Sequence, residues 1–300
     1  MHRRTFVRSL GAALAAPGAL HASSDASGNA LGNAFATRPG ATALPARRVA
    51  RVGIQLYTLR DAARQDLART LADIAAVGYK EVELLGSMRN FGMPPAQLRR
   101  VLDDLGLRAP STHVAATALD DVPRQLDEAR TLGHTYLIVA GFPAEQRRTM
   151  DDYRRWADRL NAAGQAARPA GVWVGFHNHA EDLRVSDGRQ TGYDVLVERT
   201  DPALVRHQLD TGNLAMAGRD PLTYVERHGD RYWSFHVKDV PSVGATHDVE
   251  LGKGVVDFRR LLARVPRLSE KHLFVEQESY PGAPLESVRR NFAYLSALEV

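Results

Sequence analysis

The run "GVWVGFHNH" ends an apolar stretch on two histidines, His177 and His179, two residues apart. Comparable pairs recur along the chain: Gln55 and Tyr57, Glu81 and Glu83, His236 and Lys238, Glu276 and Glu278, with His113 and Asp210 closing other apolar runs singly. In an extended chain, side chains at i and i+2 point to the same face, so each pair is presented to one region of space. Carboxylates and imidazoles gathered in one cavity are costly to desolvate without partners, and a divalent cation answers that need. The chain has no cysteine. Thiolate ligation and disulfides are thereby excluded, and His, Asp and Glu must hold any metal. Such a ligand set suits one divalent ion, with manganese the first expectation and zinc, cobalt, iron(II) or magnesium the alternatives. An ion with an open position acidifies the C–H beside a carbonyl, and histidine is a base with a suitable pKa.

The elements that must position these residues follow a repeating pattern. β-prone runs at 51–57, 79–85, 107–114, 135–141, 171–179, 204–210, 232–239 and 272–279 alternate with amphipathic segments such as 61–78, 150–167 and 284–298. Strands alternating with helices in this number, over about 250 residues, predict an α/β fold of the (β/α)8 TIM-barrel kind. An open doubly wound sheet is the competitor, but "QLYTLRD" stands where a glycine-rich phosphate loop would follow the first strand. In a barrel the chemistry sits at the C-terminal ends of the strands, where the polar residues above accumulate.

The amino terminus reads differently. "MHRRTFVRSLGAALAAPGAL" has a basic start and a short Ala- and Leu-rich run, too short to span a bilayer. It resembles a bacterial twin-arginine export signal, so residues 1–22 are expected to be a leader, 23–49 a low-complexity linker and 50–300 the catalytic barrel. The expected location is periplasmic, with no stable membrane insertion after the leader is removed. Of a formal net charge of +4, Arg3, Arg4 and Arg8 belong to the leader. The remainder is close to neutral, which argues against nucleic acid as a partner.

Six fragments in order, "GIQLYTLRD", "GYKEVEL", "FHNH", "LDTGN" with "AGRDP", "FHVKD" and "VEQE", resemble the sugar phosphate isomerase/epimerase family, the xylose-isomerase-like barrels, over residues 51–298. The resemblance implies one divalent metal held by the ends of strands five to eight. It carries Asp210, His236 and Glu276 onto the family's metal positions. The best-known epimerases place a glutamate at the end of the fifth strand as ligand and base, whereas this chain has "FHNH". One histidine then ligates while the other abstracts a proton: His179 is assigned to the metal and His177 to the base, with the reverse as the alternative. Asn213 stands where sugar epimerases often have a substrate-binding histidine.

Lys238 is a candidate for stabilising an oxyanion. Gln55, Tyr57, Glu83, His113, Asn213 and Glu278 are candidates for binding substrate, Glu83 alternatively pairing with Lys238. Tyr57, Phe91, Trp173 and Trp233 could stack on a sugar ring if they face the mouth. Gly252 and Gly254 place flexible backbone in the loop after the seventh strand.

These readings point to an isomerase or epimerase that removes a proton beside the carbonyl of a sugar or keto-sugar to form an enediolate. The alternative is a lyase or hydrolase of 3-keto-glycosides, which share that intermediate. A non-catalytic periplasmic sugar-binding barrel is the alternative from another class. A DNA-repair endonuclease of this superfamily would need three metals and a basic surface. The expected partner is a small sugar or keto-glycoside, unphosphorylated in view of the leader, and a homo-oligomer is compatible with the sequence.

Overall fold

Eight short strands follow one another around a closed parallel sheet in the computed structural model, which describes Val49 and residues 51–300. The segments read as export leader and nearly all of the linker lie outside the described residues. The strands are β1 (Gly53–Gln55), β2 (Glu81–Leu84), β3 (Arg108–Val114), β4 (Tyr136–Val139), β5 (Trp173–Phe176), β6 (His207–Asp210), β7 (Tyr232–Val237) and β8 (His272–Val275). Their order is β5-β4-β3-β2-β1-β8-β7-β6. Parallel bridges Val174 to Val205 and His177 to Gln208 join β5 to the β6 side and close the ring. The fold is the (β/α)8 barrel expected from the alternation of strands and helices.

The helices are α1 (Arg60–Gln65), α2 (Leu67–Val77), α3 (Pro95–Asp104), α4 (Val122–Leu132), α5 (Met150–Ala167), α6 (Gly192–Arg199), α7 (Thr211–Met216), α8 (Pro221–His228), α9 (Phe258–Ala263) and α10 (Pro284–Ala297). The segment expected as one helix over 61–78 is split at Asp66, whose extended backbone (φ −154°) ends α1 while its carboxylate caps Arg69 N at 2.9 Å. No helix among the described residues is long and apolar enough to cross a membrane.

Alternation along the strands builds two environments. Val82, Leu84, Val174, Phe176, Leu209, Phe235, Val237, Leu273 and Val275 belong to the apolar cluster between sheet and helices. Their neighbours in sequence turn into the barrel. Glu83 on β2 bonds Gln208 on β6 and His236 on β7, contacts that only the interior allows.

The seam between β5 and β6 needs a glycine. A Cβ on Gly175 would lie 2.0 Å from the backbone oxygen of Arg206, which rigid sheet geometry cannot accommodate. Gly175→Ala is therefore expected to lower stability by about 3 kcal/mol or to block folding, as read by chemical denaturation. An unchanged unfolding midpoint would refute this account of the closure.

Candidate metal centre

Four side chains converge at the C-terminal mouth. His177, Asp210, His236 and Glu276 bring ligand atoms within 4.8 Å of one another, and all four are buried. Each comes from a different strand end. Asp210 is the last residue of β6 and the N-cap of α7. One oxygen, Oδ1, accepts from Asn213 N at 2.7 Å, while Oδ2 is buried and accepts no hydrogen bond. That orphaned oxygen lies 3.8 Å from His177 Nε2 and 3.8 Å from His236 Nδ1. Two imidazoles and two carboxylates, with an unsatisfied carboxylate oxygen among them, fit a divalent cation. The cluster is a divalent-metal-binding site.

His179 stands outside this group and His177 within it, the arrangement that the sequence offered as its alternative to a His179 ligand. The cause is local. The ladder holds His177 beside β6 through its bridge to Gln208, whereas His179 opens the 3-10 turn Ala180–Leu183 and gives its backbone N–H to Asp182 at 2.8 Å. The two rings remain neighbours, 4.7 Å apart between centroids. His179 Nδ1 is buried with no hydrogen-bond partner. Burial first, and then the Lys238 charge, press His179 down to about 4, so its ring is neutral at neutral pH.

The charges around the cluster are arranged in pairs. His236 gives one nitrogen to Glu83 Oε2 at 2.5 Å and turns the other to Glu276 Oε2 at 2.9 Å. Burial alone would disfavour its charge, but Glu276 and Glu83 raise it to about 10. Lys238 Nζ, itself buried, lies 3.3 Å from Asp210 Oδ2, 2.8 Å from Glu276 Oε2 and 2.8 Å from Glu278 Oε1. Against the cost of burial, these carboxylates keep its ammonium charged. Burial works against Glu276 as an anion, yet Lys238 and His236 hold it well below the usual carboxylate range. Asp210 goes the other way, to about 7, because burial dominates and the neighbouring Glu276 adds to it.

The remaining candidates separate into two groups. His113 joins the cluster, its ring 5.0 Å from that of His177 and 5.1 Å from that of His236. Gln55 binds Glu83 Oε2 at 2.7 Å, so both lie in the network beneath the metal ligands. Glu83 does not pair with Lys238 as the alternative reading held; it is taken up by His236, Gln208, Gln55 and Ser111. Asn213 is bound to its neighbours, giving Nδ2 to the Asn178 carbonyl at 3.0 Å. Glu278 is 41% exposed at the rim and holds Lys238. Tyr57 is half-buried with the Arg60 guanidinium 4.5 Å above its ring.

Trp173 and Trp233 are not at the mouth. They are the first residue of β5 and the second of β7, at the opposite end, where Arg206 lies between their rings at 3.3 and 3.6 Å. Phe91 sits in the loop after β2 at φ 53°. Gly252 and Gly254 give their N–H groups to Asp239 Oδ2, each at 3.0 Å, which anchors their loop.

Sequence reasoning passed over Gln208, Ser111, Ser234 and Asn178. The first three sit two residues before Asp210, His113 and His236, so strand alternation places them on the same inward face. Asn178 faces the other way from the histidines it separates. Its side-chain amide exchanges hydrogen bonds with the Asp210 backbone at 2.9 and 3.2 Å, extending the β5–β6 pairing past the strand ends.

Fold and site together define a parallel (β/α)8 barrel with a metal-binding cluster at its mouth. The sequence model of the xylose isomerase-like TIM barrels matches residues 49–298, and the chain belongs to that family. The inosose dehydratase of Lacticaseibacillus casei is 30% identical over 170 residues, covering 50% of this chain and 55% of its own length. The chain thus spans about half the length of that relative. The inosose dehydratase of Geobacillus kaustophilus is 29% identical over 222 residues, 65% of this chain and 68% of its own. A crystal structure of a sugar phosphate isomerase/epimerase from Parabacteroides distasonis superimposes with a TM-score of 0.70 at 23% identity, covering 81% of this chain and 96% of the other, a likeness of fold.

Alanine substitution of His177, Asp210, His236 or Glu276 is expected to weaken divalent-metal binding by about 100-fold or more, whereas His179→Ala keeps it. Elemental analysis after loading and gel filtration checks this. Full metal content in any of the first four variants, or its loss in the last, would reverse the reading of the site.

Proposed function

We propose that the protein is a metal-dependent lyase that removes the proton α to the carbonyl of a keto-sugar or 3-keto-glycoside and expels the β-substituent. One observation carries the proposal: a neutral, buried imidazole with an unpartnered nitrogen, His179 Nδ1, stands beside a four-ligand metal cluster at the barrel mouth. In this reading His177, Asp210, His236 and Glu276 hold the ion, manganese being the first choice. When bound, the ion supplies Lewis-acid polarisation of the substrate carbonyl.

The chain's own groups do the rest. His179 Nδ1 takes the proton as the C–H bond breaks, leaving an enediolate. Lys238, charged and within reach of the same carboxylates as the ion, steadies the negative oxygen. As the enediolate collapses, a C=C bond forms beside the carbonyl and the C–O bond to the β-substituent breaks. The departing oxygen takes a proton from the imidazolium or Lys238, so the elements of water or an alcohol leave. Burial of the cluster keeps bulk water from the carbanion-like intermediate.

Elimination is preferred over isomerisation or epimerisation because the curated relatives are dehydratases by name, and a dehydratase expels a β-hydroxyl. All three reactions share the first step. Gln55, His113, Glu83 and Asn213 are committed to hydrogen bonds within the protein, and Glu278 at the rim is the better placed to meet substrate hydroxyls. Export by the amino-terminal leader belongs to the same proposal, and an unphosphorylated glycoside suits a periplasmic enzyme.

The test incubates manganese-loaded protein with 3-keto-glycosides, inososes and simple ketoses in deuterated water. Release of the β-substituent, with solvent deuterium appearing in recovered substrate, is the expected result, and His179→Ala is expected to slow both by about 100-fold or more. Deuterium exchange with interconversion of sugars and no release would make the enzyme an isomerase or epimerase. Binding without exchange would leave a sugar-binding barrel.

A further inference from the structure

Gln208 is buried at the centre of the barrel, one layer below the metal cluster, and its amide touches four side chains. Nε2 lies 2.9 Å from Glu83 Oε1 and 3.1 Å from Ser234 Oγ, while Oε1 lies 2.9 Å from His113 Nε2 and 3.1 Å from His177 Nδ1. The orientation of this amide is decided by chemistry. A carboxylate oxygen has no proton to give, so the group facing Glu83 must be the NH2, and the group facing the two rings must be the oxygen. Turned over, the amide would set oxygen against carboxylate oxygen in a fully buried site. An amide oxygen only accepts. Both ring nitrogens that touch it must therefore carry hydrogen.

We infer that Gln208 is a positioning residue that fixes the tautomer of His177, keeping hydrogen on Nδ1 and leaving the lone pair of Nε2 facing Asp210 and the metal site. A neutral imidazole has one donor and one acceptor nitrogen, and the bond made by one decides the state of the other. With Nδ1–H committed to Gln208, Nε2 is the acceptor, 3.8 Å from the orphaned Asp210 Oδ2. The opposite tautomer, the commoner one for histidine in water, would point its hydrogen at the place the ion must occupy. The same amide oxygen holds His113 as the Nε2–H form. Through Glu83, which accepts from both Gln208 and His236, the amide is also tied to the second imidazole of the cluster. Orientation of metal histidines by a partner on the other nitrogen is a general device worth 10- to 100-fold in metal affinity; here one neutral amide is shared by two rings. That consequence for affinity rests on the proposed metal-dependent function, whereas the tautomer does not.

The test uses the full chain labelled with 15N in its imidazoles, stripped with EDTA, at neutral pH. Long-range 1H–15N spectra distinguish protonated from bare ring nitrogens, and His177→Gln identifies the His177 signals. Wild type is expected to show hydrogen on Nδ1 of His177 and on Nε2 of His113. Gln208→Leu is expected to move His177 toward the Nε2–H form and to weaken Co2+ binding by about 10- to 100-fold, read from the absorption of the cobalt complex. Hydrogen on Nε2 of His177 in wild type would overturn the inference, as would a Gln208→Leu protein with wild-type tautomer and cobalt affinity. Should Gln208→Leu fail to fold, the wild-type spectrum still decides. If wild type shows the expected tautomer but takes up no cobalt, the proposed function fails and the role of Gln208 stands.

Discussion

A carboxylate sealed inside the barrel is the constraint on which the upper half of this molecule depends. Glu83 is wholly buried, and an unpaired charge there would cost several kcal/mol. The barrel answers with donors from four other strands: Gln55 from β1, Ser111 from β3, Gln208 from β6 and His236 from β7 all reach the β2 carboxylate. Burial opposes the charge, but His113 and His236, with the hydrogen bonds, more than offset it and hold Glu83 down to about 2. Each donor is thereby oriented. His236 is turned so that its other nitrogen faces Glu276, and Gln208 so that its oxygen faces two histidines.

The same principle is used differently at the two ends of the cylinder. At the N-terminal end Glu81 is matched by Arg108 at 2.7 Å and His272 at 2.7 Å, and Arg206 is packed between two tryptophans. There the charges are consumed in fixing strand starts. At the mouth the balance is left open. Asp210 Oδ2 has no hydrogen bond, His179 Nδ1 has none, and one ammonium is divided among three carboxylates. An arrangement costly to stability has its rationale in chemistry, and the open balance falls where barrel enzymes place their active sites.

Why one cluster can host several reactions follows from its geometry. With an ion bound, the four ligands and the neighbouring His179 would suit removal of a proton beside a carbonyl, and the enediolate so formed would be common to isomerases, epimerases and lyases. In the proposed chemistry, the groups around the ligands, Glu278 at the rim and the Lys238 it holds, would separate these outcomes. The identity shared with the dehydratases reaches across half to two thirds of the chain, while the likeness to an isomerase/epimerase structure is one of fold.

Much of the barrel was legible in the residues because β-strands present i and i+2 together, so polar pairs ending apolar runs marked the strand ends, whereas Asp210, His236 and Glu276 were singled out by the family resemblance, and the structure brings the three together. The rule fails where the chain stops being extended. β5 ends at Phe176; His177 keeps its ladder position beside Gln208, but His179 has entered a capped 3-10 turn and is lifted out of the ligand group. No spacing within "FHNH" reveals that turn, because it is set by Asp182, whose carboxylate receives the His179 N–H and the Tyr153 hydroxyl, the latter at 2.8 Å from α5. The position of the tryptophans stayed open for a related reason: composition counts an aromatic near a strand without telling which end it occupies. Periodicity assigns a face of a strand, and only tertiary partners assign depth.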